Sequence, residues 1–196
     1  MLLKFLTFLI VSSYLFADKP TRPIATYSIV AYDETTGELG VAVQSHWFSV
    51  GTVVPWAKAG VGAVATQSIA EPSYGPKGLA LMEDGVPANE ALQSLLSKDS
   101  GANVRQIGMV DAQGNVGAHT GSRCIRYAGH KVGKHYSVQA NIMEKPTVTN
   151  AMSKAFENAK GDLAERMLIA LEAAEQEGGD LRGKQSAALL LSLIHI

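Results

Sequence analysis

The chain of 196 residues is 46% hydrophobic and 18% charged, with 17 basic and 18 acidic side chains. This length suits one domain with its own core, and so hydrophobic a composition excludes a disordered chain. The formal net charge of -1 argues against a nucleic-acid binder, which usually carries a basic patch. A single cysteine, Cys124, excludes a disulfide framework and a cysteine-rich zinc site.

The first 25 residues have the pattern of an export signal followed by a short spacer. Lys4 supplies a positive charge, residues 5–16 form an apolar run, and Ala17 is a small residue at the cleavage position. The run is shorter than the roughly 20 residues of a membrane-spanning helix. We therefore expect a signal peptide over 1–17, a leader over 18–25, and a secreted or periplasmic protein without a stable membrane span. An uncleaved anchor and a buried first helix are the alternatives.

Strands are predicted in pairs around turn-forming residues. Segments 26–32 and 39–43 enclose one turn, and segments 105–110 and 115–119 enclose another, so both pairs read as hairpins. The remaining β-rich segments, in chain order, lie at 52–54, 61–66, 136–140 and 186–190.

Helices are predicted in two blocks, at 76–83 with 87–97 and at 148–159 with 162–177. Pro76 and Pro87 suit the first position of a helix, and Thr147 is the predicted N-cap of the third helix. This order of strands and helix pairs indicates an α+β domain of antiparallel sheets, each covered by one helical pair.

Motifs for a cofactor or a metal are missing from the sequence. It contains no phosphate-binding loop, dinucleotide fingerprint, nucleophile elbow or zinc-binding His-Glu-x-x-His. His130 and His135 lack a third ligand at metal-binding spacing, and Cys124 has no histidine at a recognisable spacing. We expect no cofactor, no metal and no thiol nucleophile.

Several strings resemble a known family. They are Thr-Tyr-Ser-Ile-Val-Ala at 26–31, Gly-Val-Ala-Val-Gln-Ser at 40–45, Val-Pro-Trp-Ala-Lys-Ala-Gly-Val-Gly-Ala-Val-Ala-Thr-Gln at 54–67, Tyr-Gly-Pro-Lys-Gly-Leu at 74–79, Gly-Gly-Asp at 178–180 and Gln-Ser-Ala at 185–187. Together they resemble domain of unknown function 1028, an uncharacterised bacterial family similar in fold to the N-terminal-nucleophile (Ntn) hydrolases. The resemblance covers about 26–190 and implies a four-layer αββα sandwich with antiparallel sheets.

The Ntn resemblance also implies a mechanism. The side chain of an N-terminal threonine attacks a carbonyl, and the α-amine of the same residue takes the proton. Thr26 is the threonine at the matching position. Cleavage after Ala17 leaves eight residues ahead of it, so the mechanism needs a second cut between Ala25 and Thr26. The alternative is that Thr26 only begins a strand, where threonine is favoured.

Six further residues are predicted around Thr26. Lys58 is predicted to lower the pKa of the nucleophile, and Asn141 to donate to an oxyanion. An exposed lysine and a turn asparagine are the alternatives for these two. The residues predicted to line the substrate pocket are Ser45, His46, Gln67 and Ser186.

The sequence therefore favours a secreted hydrolase that cleaves an amide bond in a small-molecule or peptide-like substrate and binds no nucleic acid. The alternative is a catalytically silent Ntn-fold module that binds a small ligand or a cell-envelope component. A structural subunit of a larger assembly and a homo-oligomer also stay open.

The last six residues, 191–196, match the translation of an adapter used in sequencing libraries, and we expect them to be an artefact at the end of a truncated domain. The alternative is a genuine strand that continues from 187 to 196.

Overall fold

The computed structural model describes residues 26–192, and the predicted signal peptide and leader lie outside this range. The strands are β1 Thr26–Tyr32, β2 Leu39–Ser45, β3 Pro55–Lys58, β4 Gly62–Ser68, β5 Arg105–Asp111, β6 Val116–Thr120, β7 Gly129–Gly133, β8 Tyr136–Asn141 and β9 Ser186–Ser192. The helices are α1 Tyr74–Glu83, α2 Ala88–Leu96, α3 Val148–Asn158 and α4 Leu163–Gln176. None of these four helices has the length and apolar character needed to cross a membrane.

The strands form two antiparallel sheets, as predicted. The first sheet has the order β7-β8-β1-β2-β9, so β1 is its central strand. The second sheet has the order β3-β4-β5-β6. Adjacent strands in each hairpin are joined by turns, which is why the two hairpins could be predicted from turn chemistry.

Alternating residues of each strand face different layers. On β1, Tyr27 and Ile29 pack against α3 and α4, whereas Val30 packs into a cluster shared with β4 and β5. The outer face of the second sheet packs against α1 and α2 through residues such as Val64 and Met109. One cluster thus contains residues of α3 and α4 with the first sheet, another contains residues of α1 and α2 with the second sheet, and a third joins residues of both sheets.

The predicted strand over 52–54 is wrong, and strand β7 was missed. Residues Val50–Thr52 form a 3₁₀ turn, and strand β3 begins only at Pro55. Val50 and Val54 are fully buried in the cluster between the sheets, so their apolar character reflects this packing and not a strand. Strand β7 was not predicted, because its two glycines and its half-exposed residues lack a strand pattern.

The helix starts also differ from the prediction. α1 begins at Tyr74, so Pro76 is its third residue, and Pro87 precedes α2 as its N-cap. Thr147 makes no capping bond to α3, since its hydroxyl donates to Glu177 at 2.6 Å.

β9 extends through Leu191 and Ser192, which pair with Gly40 and Leu39 of β2. These are the first two of the six residues predicted to be an artefact, and residues 193–196 lie outside the described range.

Candidate active site

A row of polar residues crosses the first sheet at one end. Ser186, Ser45, Thr26 and Asn141 lie opposite one another on β9, β2, β1 and β8. Thr26, Ser45 and Asn141 are fully buried. This adjacency is set by strand register and joins residues far apart in the sequence. The structure therefore brings together four of the residues predicted to form the site.

A second polar row lies opposite, in the other sheet. Gln67 of β4 pairs with Gln106 of β5, and Gln106 pairs with Thr120 of β6. Both glutamine side chains are fully buried. Hydrogen bonds link them to Thr26 and Asn141, so the two rows face each other between the sheets.

Thr26 is held by this polar group. Its Oγ1 donates to Ser45 Oγ at 3.0 Å. Its carbonyl oxygen accepts from Gln67 Nε2 at 3.3 Å and from Asn141 Nδ2 at 3.4 Å. These two hydrogen bonds are longer than the usual 2.9–3.0 Å and are therefore weak. The N–H groups of Gln67 and Asn141 can donate instead to a stronger acceptor.

Gln106 orients both amides, and the sequence did not single it out. Its Oε1 accepts from Gln67 Nε2 and from Asn141 Nδ2, each at 2.8 Å. Its own Nε2 lies 2.9–3.0 Å from three acceptors, the hydroxyl of Thr120 and the carbonyls of Gly129 and Ala140. A buried amide bonded on both sides has one preferred orientation, which fixes where Gln67 and Asn141 point.

Two buried acceptors at the site make no hydrogen bond within residues 26–192. They are Gln67 Oε1 and Asn141 Oδ1. A buried acceptor without a donor costs about 1–3 kcal/mol, so such atoms usually have a reason beyond stability. Both oxygens can accept from an ammonium or amide donor that enters the site.

The polar layer continues two residues further along β1 and β8. Ser28 Oγ donates to Gln139 Oε1 at 2.9 Å, and Gln139 Nε2 donates to Ser137 Oγ. Gly108 makes room for this group, because a side-chain carbon at that position would collide with the Gln139 amide. No motif in the sequence indicates this cluster, since isolated serines and glutamines in strands usually face solvent.

His46 and Ser186 lie where a loop leaves the site. The His46 N–H donates to Asp180 Oδ2 at 3.1 Å, and Asp180 also forms an ion pair with Arg182, at 3.2 Å. Ser186 Oγ donates to the Trp47 carbonyl at 2.6 Å. These two predicted pocket residues therefore anchor the loop beside Thr26, and their contact with a substrate stays a prediction.

The structure does not bring Lys58 to Thr26. Lys58 pairs with Gly62 at the end of β4 opposite to Gln67, which at about 3.4 Å per residue is roughly 17 Å away. Its ammonium pairs with Glu83, and both side chains are about half exposed.

The other titratable groups near this end lack a metal-binding arrangement. Within residues 26–192 no group of three histidine, cysteine, aspartate or glutamate side chains is placed to hold a metal ion. Burial raises the pKa of the Cys124 thiol, which keeps it protonated and weakly nucleophilic. Burial and, secondarily, His119 lower the pKa of His130, whose Nδ1 lies 2.8 Å from Thr120 Oγ1.

Comparisons with known proteins agree with the resemblance noted in the sequence. No curated protein matches the chain. The chain is similar to two structures of Thiobacillus denitrificans BPH, each at 12% identity over 87% of this chain. The complex with epoxomicin has a TM-score of 0.47 and is covered over 100% of its chain. The structure of BPH alone has a TM-score of 0.43 and is covered over 98% of its chain. It is also similar to protein SPO2555 from Silicibacter pomeroyi, a DUF1028 protein, at 32% identity and a TM-score of 0.80, over 85% of this chain and 73% of that one. The model of a family of unknown function, DUF1028, matches residues 26–193, and the chain belongs to this family.

Proposed function

We propose that this protein is an Ntn-type hydrolase that cleaves an amide bond with Thr26 as its N-terminal nucleophile. The observation that carries the proposal is the environment of Thr26, whose hydroxyl bonds to Ser45 and whose carbonyl faces the amides of Gln67 and Asn141. The family match begins at this same residue. The succession of helix pair, sheet, sheet and helix pair supports the four-layer αββα sandwich that accompanies this chemistry.

As an N-terminal residue, Thr26 would carry both the nucleophile and the base. An α-amine with a pKa of about 7.7–8.0 is partly neutral at pH 7. It takes the hydroxyl proton while Oγ1 bonds to the substrate carbonyl carbon, and the carbonyl oxygen becomes an oxyanion. The ammonium then protonates the leaving amine as the C–N bond breaks, which leaves an ester on Thr26. Water, deprotonated by the same amine, hydrolyses the ester and releases a carboxylic acid.

Gln67 and Asn141 supply the donors for the oxyanion in this proposal. Each amide donates a short hydrogen bond to Gln106 Oε1 and a longer one to the Thr26 carbonyl oxygen. A charged oxyanion is a better acceptor than a neutral carbonyl, so it competes well for the weakly held N–H groups. Loss of one such donor typically slows a reaction about 10²–10³-fold.

Lys58 takes no part in the proposed reaction. It lies on β3 opposite Gly62, at the far end of β4 from Gln67, and its ammonium pairs with Glu83, so the α-amine of Thr26 is the base in this proposal. Ser45 is a positioning residue, because its oxygen accepts from the Thr26 hydroxyl and so directs it.

The reaction requires that the bond between Ala25 and Thr26 be cut. A nitrogen in a peptide bond has no basic lone pair and cannot accept the hydroxyl proton. We therefore propose export through the signal over 1–17, followed by a second cleavage that removes the leader over 18–25 and exposes Thr26 outside the cytoplasm.

One observation favours the silent binding module as a second candidate. In the uncut chain the nitrogen of Thr26 is an amide, and Thr26, Gln67 and Asn141 have no exposed surface. A protein that keeps its leader would present the same polar cluster as a structural element and not as a reactive centre.

An epoxyketone probe distinguishes the two candidates. Its ketone carbon bonds to a threonine oxygen and its epoxide carbon to the α-amine of the same residue, so a stable double adduct forms only at an N-terminal threonine. We expect the mature protein to gain the full mass of one probe at Thr26, and Thr26→Ala to reduce labelling by at least about a thousandfold. Thr66→Ala is the matched control, since Thr66 is equally buried but bonds to the Glu71 carbonyl on the other side of β4. A mature protein that begins at Thr26 and resists the probe would contradict the proposal.

A further inference from the structure

A cavity at the Thr26 end of the first sheet has the size of a specificity subsite. It has a volume of about 290 Å³ and is lined by His46, Trp47, Phe48, Arg182 and Gln185. We infer that this cavity binds an uncharged aromatic or large apolar group of the substrate. The inference rests on the proposed function for the identity of the reacting bond, whereas the binding itself rests on the geometry that follows.

The cavity lies at the Thr26 end of the first sheet. His46 directly follows Ser45, which bonds to Thr26, and the Gln185 N–H donates to the Ser45 carbonyl at 3.2 Å. Neighbouring strands are about 4.8 Å apart, so the cavity wall starts one strand away from the nucleophile. A substrate bound at Thr26 therefore extends past this wall on the β2–β9 side.

The cavity wall is a loop whose backbone is fixed by hydrogen bonds to the side chains of Asp180 and Ser186. Asp180, whose side chain is fully buried, accepts from the His46 N–H at 3.1 Å. Ser186 Oγ donates to the Trp47 carbonyl at 2.6 Å and accepts from the Val50 N–H at 2.9 Å. A loop fixed at both ends loses little conformational entropy when a ligand binds.

This fixed loop exposes the aromatic ring of Phe48 to solvent. Phe48 is 81% exposed, the highest value among the large apolar side chains of residues 26–192, and Leu181, which precedes the cavity residue Arg182, is 66% exposed. Neither residue contributes to a core cluster. Exposed apolar groups that adjoin a polar site are typical of ligand-binding surfaces.

The charge of the wall selects for an uncharged group. The Arg182 guanidinium lies 3.2 Å from the Asp180 carboxylate, so this cation and anion compensate each other. A charged substrate group would lose water here without gaining a partner of opposite charge, which is costly. The volume is slightly below the 300–1,000 Å³ of pockets for whole ligands and suits one side chain.

The test measures binding without turnover, in the full chain carrying Thr26→Ala. The probes are N-acetyl-L-phenylalaninamide, N-acetyl-L-alaninamide and N-acetyl-L-glutamic acid 1-amide, each titrated while amide chemical shifts are followed by NMR. We expect the phenylalanine probe to bind at least about tenfold more tightly than the other two, with shifts at 46–48 and 182–185. Adding Phe48→Ala should abolish this preference, and Phe48→Leu should retain part of it. Leu168→Ala is the control, because Leu168 on α4 is also exposed, at 46%, but belongs to a different layer.

Each other outcome decides the question. Equal affinity for the phenylalanine and alanine probes, no binding, or shifts confined to other regions would overturn the subsite. The same holds if Phe48→Ala separates a dimer in sedimentation and leaves probe binding unchanged, since Phe48 would then belong to an interface. Selective binding by the Thr26→Ala chain, together with a mature parent protein that resists the epoxyketone, would uphold the subsite and reject the proposed hydrolysis.

Discussion

The layer between the two sheets has an apolar end and a polar end, built by the same strands. β1 contributes Val30 to the apolar end and Thr26 to the polar end, and β2 contributes Leu39 and Ser45 in the same way. All four side chains are fully buried. Burial of apolar surface stabilises a fold by about 25 cal/mol per Å², whereas a buried polar group at best regains the hydrogen bonds it had in water. The polar end therefore adds less to stability than the apolar end.

Leu39→Ala tests the apolar end and has the largest expected effect on stability. The side chain is fully buried between the sheets, so its truncation leaves a cavity and should lower the free energy of unfolding by about 3 kcal/mol. Leu39 pairs with Tyr32, at the opposite end of β1 from Thr26. The rate of epoxyketone labelling at a temperature where the variant is folded should therefore be unchanged. Urea unfolding and labelling measured on the same preparation provide the check, and a large loss of labelling in folded protein would contradict the division of the layer.

Gln106→Leu tests the polar end. The change leaves the amides of Gln67 and Asn141 without their shared acceptor and should cost about 2 kcal/mol of stability. Labelling of Thr26 should slow by at least about tenfold, because the two donors lose their orientation. Gln93→Leu, at an exposed position of α2, is the control for the substitution itself. If Gln106→Leu lowered stability but labelled at the parent rate, Gln106 would be structural only.

Tyr136→Phe tests the helix-facing side of the first sheet and should have the smallest effect. Tyr136 brings a polar group into that layer, with its hydroxyl 2.6 Å from both Ser153 and Glu157. Loss of these bonds should cost about 1 kcal/mol at pH 7.

The effect of Tyr136→Phe should depend on pH with a defined sign. Burial, followed by the bond to Glu157, raises the pKa of Tyr136 to about 12 in the folded protein. Because this pKa is higher in the folded than in the unfolded state, the hydroxyl of Tyr136 makes its full contribution to the free energy of unfolding below pH 10. That contribution is lost as the pH rises from 10 to 12. The stability difference between parent and variant should therefore shrink in alkaline unfolding titrations. A difference that stays constant from pH 7 to pH 12 would show that the hydroxyl is not held as described.

The elements of this fold could be predicted mainly where the pattern is local. The strands around the turn at 33–38 and the helix predicted over 87–97 depend on neighbouring residues, and both are present in the structure. The β-rich segment 52–54 led to a wrong strand prediction, because Val53 and Val54 pack into the core from a non-strand connection and so have the composition of a strand.

The candidate site could be predicted only in part, because it depends on register. Thr26, Ser45 and Asn141 were found through family resemblance and strand ends, but their alignment in one row follows from pairings over long sequence distances. Gln106 was not predicted as a site residue, since a glutamine in a strand usually faces water. Lys58 was predicted near the site, but it ends β3 and pairs with Gly62, at the opposite end of β4 from Gln67.

The N-terminal mass of the mature protein tests the central claim most directly. Protein recovered from outside the cytoplasm of an expressing cell, analysed by mass spectrometry, should begin at Thr26 with an unmodified α-amine. That result would place the nucleophile and its base on the same residue at the polar end of the layer. A mature protein that begins at Asp18 and still hydrolyses an amide would contradict the account, because Thr26 would then lack its base.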